Sequence, residues 1–117
     1  MIIRKESAHN EKLIQMLKTT AEKMCQKLKA HGVIIPDDDV KIWVKNFYNG
    51  NCHRQYPKIE FDAGNQELQY DMDENGRIRE VHFKSFIQGK DKTKRCDISK
   101  ENADERLILI DDIIRSE

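Results

Sequence analysis

The chain has 117 residues, of which 38% are apolar and 36% charged, and its formal net charge is zero. That length holds one domain with one small core, so 1–117 reads as a single α+β domain. Neutral charge and apolar residues in periodic blocks exclude a wholly disordered chain, and the longest apolar run, at 107–110, is far too short to span a bilayer.

Three cysteines, Cys25, Cys52 and Cys96, stand far apart with no CxxC pair. An odd, scattered set argues against a disulfide framework and for a reducing compartment. The first residues lack the apolar stretch of a signal peptide, so the expectation is a cytoplasmic protein without a membrane anchor. Zero net charge conceals segregation. Residues 1–32 and 77–100 are basic, and residues 49–76 and 101–117 are acidic.

Asn10 or Ser7 is placed to cap a first helix near 9–31. Ile14, Leu17, Ala21, Met24 and Leu28 recur at spacings of three and four, and Leu13 and Cys25 widen the stripe. Gly32 ends this long helix in a left-handed cap, with Val33 packing back on the last turn. Residues 33–36 read as a buried extended connector. Asp37, Asp38 and Asp39 lack the spacers, turn Gly and late Glu of a calcium loop, so they read as helix caps. The stretch 40–48 fits two periods. Val40, Trp43, Val44 and Phe47 suit a helix, while Val40, Ile42 and Val44 suit a strand. The aspartates favour a short helix.

Residues 49–55 read as a loop and 58–62 as a strand with Ile59 and Phe61 inward. Leu68, Tyr70 and Met72 alternate with polar residues, and Val81 and Phe83 do the same after Asn75-Gly76. This is the pattern of an antiparallel hairpin with one buried face, spanning about 67–73 and 77–87. A basic loop follows at 88–95, then a short strand at 96–98. Ser99 caps a last helix to about 116, in which Ala103, Leu107, Ile110 and Ile114 form one stripe. The predicted fold is a two-layer α+β sandwich. A three- to four-stranded antiparallel meander is packed by a long N-terminal and a C-terminal helix.

No phosphate loop, dinucleotide fingerprint, HExxH or GxSxG is present, so no cofactor is expected. The cysteines and histidines lack the short paired spacings of a metal centre, so no metal is expected either. Three function classes remain. A metal-independent ribonuclease needs a base, an acid and phosphate-binding cations. Glu80, His82 and Lys84 alternate along one strand face and supply those types, with Arg77, Arg79, His53, Arg54 and Tyr56 as possible neighbours. A nucleic-acid binder would use Arg77, Arg79, Lys84, Lys90, Lys92, Lys94 and Arg95 as a basic edge, with Phe86 for stacking. A protein-binding module would use Trp43, Phe47, Tyr48 and Arg54, since aromatics and Arg dominate interface hot spots. The third class is the favoured expectation: a non-catalytic inhibitor, immunity-type or adaptor protein that occludes another protein.

Overall fold

The computed structural model describes residues 1–3, 10–50, 52–88, 90 and 92–116, and the side chains of all of these except Phe47, Tyr48, Asn49, Cys52, His53 and Thr93. Helix α1 (Glu11–Ala30) begins at Asn10, whose side chain accepts a hydrogen bond from Leu13 N. Ser7, the other expected cap, lies outside the described residues. Helix α1 ends at Gly32, which takes φ +84. Gly32 N donates to Lys29 O and Val33 N to Leu28 O, the paired bonds of a Schellman cap. The apolar stripe does what its spacing predicts, and Leu17, Ala21, Met24 and Leu28 are buried.

The sheet is larger than the expected meander. Among the described residues it has six strands: β1 (Ile2–Ile3), β2 (Val40–Asn49), β3 (Cys52–Ala63), β4 (Gln66–Met72), β5 (Ile78–Gln88) and β6 (Thr93–Ile98). They lie side by side in chain order. β1 runs parallel to β2, and every other pair is antiparallel. Helix α2 (Glu105–Arg115) follows β6.

Five expectations are corrected here. Residues 40–48 belong to a strand. The aspartates form a single 3-10 turn, Asp37–Asp39, and β2 then pairs with β3 through ten residues. Val40, Ile42 and Val44 point to the core as alternation requires, and that long ladder outweighs the weak helical spacing. Of the loop expected at 49–55, Asn49 ends β2 and residues 52–55 begin β3, with Asn49 paired to Cys52. Gln88 ends β5, and the last three positions of the basic loop expected at 88–95 join the expected strand at 96–98 in β6, an edge strand whose Lys94 and Arg95 suit an exposed edge. The connector at 33–36 is not buried throughout, since Ile34 is 72% exposed. At the C-terminal end, Ser99 precedes a short 3-10 turn, Lys100–Asn102, and Asp104 is the residue that caps α2. Ala103 therefore falls outside the helix, and Leu109 faces solvent.

Both helices lie on one face of the sheet. Leu17, Leu28, Leu107 and Ile110 meet Ile42, Ile59, Phe61, Leu68 and Tyr70 in one core. Phe61 and Tyr70 pack edge to face with centroids 6.1 Å apart. Tyr70 also carries the sheet's polar link to α2, because its hydroxyl donates to buried Asp111 Oδ1 at 2.8 Å. Burial and the Asp111 charge push the Tyr70 phenol well above its ordinary range, so it stays a donor. Arg115 and Lys100 approach the other oxygen of Asp111. Among the described residues no helix is long and apolar enough to cross a membrane.

The β4–β5 turn packs beneath α1. Asp73 Oδ1 accepts from the backbone N–H groups of Asn75 and Arg77, and Gly76 takes φ +79. A Cβ at Gly76 would lie 3.0 Å from Thr20 Oγ1 and 3.2 Å from Met16 Sδ. Gly76→Ala is expected to lose ~1–2 kcal/mol from the left-handed backbone, plus the cost of shifting the Thr20 and Met16 side chains of α1. Gly32→Ala, with a similar φ and open space around it, should lose the backbone part alone. Urea unfolding of the two variants checks this; equal losses would show that the α1 contact contributes nothing.

Candidate functional site

Strand alternation sends every second side chain away from the helices. Register then arranges those side chains in rows across the second face. One row runs Lys41, Glu60, Gln69, His82, a second Trp43, Lys58, Asp71, Glu80, and a third Asp62, Glu67, Lys84, Asp97. The core residues occupy the opposite face.

Glu60 sits in the middle of this polar face with no exposed surface. Its Oε1 accepts from Trp43 Nε1 at 2.7 Å and from Gln69 Nε2 at 3.0 Å. Glu67, also buried, lies beside it, with Arg95 Nε 3.4 Å from its Oε1. Asp62 completes the cluster and pairs with Lys41. Burial first, then the Glu60 charge, raise the Glu67 pKa to about 7, against the opposing pull of Arg95. Glu67 therefore holds a proton where an ordinary glutamate has lost it. Shielding comes from long neighbours: the Trp43 indole over Glu60, with Lys58 Nζ 5.6 Å from its ring centroid, and Arg95 stacked on Phe86.

A second cluster lies toward the β4–β5 turn. His82 Nε2 is 3.0 Å from Glu80 Oε2 and 3.4 Å from Asp71 Oδ2. Lys58 Nζ bonds the other oxygen of Asp71. Of the candidate ribonuclease set, the structure brings Glu80 and His82 together. Lys84 lies one row away and pairs with Asp97 at 3.9 Å. The His53 side chain lies outside the described residues.

Beyond this cluster, Lys12 of α1, Arg54 of β3 and Arg79 of β5 share a cleft of about 740 Å³ with Gln55, Tyr56 and Glu74. The expected basic edge is split. Arg77 and Arg79 lie at the start of β5, while Lys90, Lys92, Lys94 and Arg95 lie beyond its far end or on β6, roughly 30 Å away along the strand. Of the candidate protein-binding residues, Trp43 is 7% exposed and engaged with Glu60, and Arg54 is exposed in the cleft. The backbones of Phe47 and Tyr48 pair with those of Arg54 and His53, and their side chains lie outside the described residues.

Sequence reading did not single out Glu60, Glu67, Gln69 or Asp71. A signal was present. Glu60 stands between Ile59 and Phe61, and Gln69 between Leu68 and Tyr70, in strands whose polar positions fall at matching registers. No family model, curated protein or solved structure matches this chain.

The Glu67 proton has a consequence for stability. Its folded pKa lies above its unfolded value of 4.5, so between these two values the folded state binds more protons than the unfolded one. Stability should fall as pH rises from about 4.5 to about 7, by up to ~1.4 kcal/mol per pH unit, and level off above. Urea unfolding across this range should show the difference between wild type and Glu67→Gln growing with pH. A constant difference would refute the assignment.

Proposed function

We propose that this chain is a non-catalytic binding protein that presents its open sheet face to another protein and acts by occluding it. The observation that supports this reading is the charge pattern of that face. Lys41, Lys58, Lys84 and Arg95 each pair with a carboxylate on the same face: Asp62, Asp71, Asp97 and Glu67. Such pairs contribute little stability where solvent reaches them. They do fix a pattern of both signs, which suits a protein of complementary pattern and steers its approach. A phosphate backbone would instead require cations not already neutralised by neighbouring carboxylates. Size also fits. Four interstrand spacings between β2 and β6 and a mean strand length of about nine residues give a face of roughly 19 by 30 Å, within the range of the smaller protein interfaces.

A second reading rests on the cleft, which Lys12, Arg54 and Arg79 from three elements line together with Glu74. That grouping suits a phosphate and keeps nucleic acid, or a ribonuclease using the adjoining Glu80 and His82, as the alternative.

One experiment separates the two. The full chain is used to capture partners from its native host, and each captured species is retitrated with variants. A stoichiometric protein whose affinity drops at least about tenfold with Lys58→Glu plus Lys84→Glu supports the first reading. Recovery of nucleic acid instead, lost on Arg54→Glu plus Arg79→Glu and weakened steeply by salt, overturns it in favour of the second.

A further inference from the structure

Asp71 and Glu80 stand directly opposite each other across the β4–β5 ladder. Two like charges in that position destabilise an antiparallel pair. The pairing is the last of an unbroken register that begins at Gln66 and Ser85. A register shift follows it toward the turn: Met72 pairs with Ile78, which leaves Arg79 as the extra residue of a bulge. Beside this bulge two carboxylates converge on one ring nitrogen, His82 Nε2.

We propose that Asp71, Glu80 and His82 form a binding site for one divalent transition metal of the zinc type. Imidazole and carboxylate donors are a set that zinc accepts. Spacing supports the same conclusion. Around a tetrahedral ion with bonds of about 2.0–2.1 Å, ligand atoms stand about 3.3–3.4 Å apart. His82 Nε2 lies 3.4 Å from Asp71 Oδ2 and 3.0 Å from Glu80 Oε2, and the three donor atoms lie within 4.8 Å of one another. A single N–H points along one line and serves one acceptor well, whereas an ion at the centre serves all three donors.

The surroundings fit a metal site in two further respects. Lys58 bonds Asp71 Oδ1 and leaves Oδ2 toward His82, the outer-shell role that orients a ligating carboxylate. A hollow of about 60 Å³ bordered by Tyr56, Asp71, Arg79 and Glu80 adjoins the site. It is large enough for a water as fourth ligand. The site goes beyond the partner-binding reading and does not depend on it.

The test uses the full chain with Zn²⁺ alone in calorimetry and with Co²⁺ alone in visible absorption. One ion per chain is expected, with a Co²⁺ d–d spectrum that reports nitrogen and oxygen ligation. Affinity should fall at least about tenfold in His82→Ala and in Glu80→Gln. His31→Ala should leave it unchanged, since that ring sits on α1 against Lys27 O. Far-UV circular dichroism establishes that each variant is folded, and exposed Glu80 offers a substitution independent of packing. Absence of saturable uptake up to millimolar metal overturns the proposal, as does binding that persists undiminished in both His82→Ala and Glu80→Gln.

Discussion

The Glu60 carboxylate is the constraint on which the open face depends. A buried charge is tolerable when its oxygens are bonded and its field is compensated. Trp43 from β2 and Gln69 from β4 supply the bonds to Oε1. Glu67 alongside must then remain protonated or be balanced by Arg95 from β6. One buried group thus sets side-chain positions on four strands. It also explains why the chain's only tryptophan is placed under its neighbours and not at an exposed hot spot.

The helical side is organised by a parallel device. Tyr70 reaches from β4 to Asp111 of α2, and Asp111 is held in turn by Arg115 and Lys100. Apolar contact alone would let α2 slide along a sheet of similar aliphatic side chains. A buried hydrogen bond to a charged acceptor penalises every other register, because sliding would leave an unpaired carboxylate in the core. With one sheet face covered by α1 and α2, the other carries the polar rows, and the proposed function is built on that face.

Local signals were legible in the sequence. Asn10 and Gly32 bracket α1 because caps act within a few residues, and Asn75-Gly76 marks a turn because Gly76 alone there takes positive φ. The β2 strand was harder to read. Val40, Trp43, Val44 and Phe47 satisfy a helical period, and what decides for a strand is a ten-residue ladder with β3 that no local window contains. The first half of β6 reads as loop because an edge strand carries charge, while its second half, 96–98, reads as the strand it is, and β1 is a two-residue parallel pairing to a strand some forty positions away. The site shows the same division. Glu80 and His82 were legible as neighbours on one strand face. Asp71 joins them through the β4–β5 register, and Glu60 meets Glu67 through that of β3 and β4, so neither is visible until the strands are paired.

The two carboxylate clusters on the open face differ in the compensation available to them. Around Glu60 and Glu67 the long side chains of β2 and β6 close the surface, and a hydrated cation would have to shed its shell to enter. The proton is the small charge that reaches such a place, and the raised Glu67 pKa is its physical signature. Around Asp71 and Glu80 the surface is open, with the Glu80 side chain 65% exposed and a hollow beside it. There an ion exchanges with solvent without disturbing the core, and a ring nitrogen stands ready as the softer donor. Segregated charge along the chain is thus spent mostly within the sheet. β5 lies beside the acidic β4, Arg95 of β6 reaches across to Glu67, and the open cluster at Asp71 adjoins Arg79.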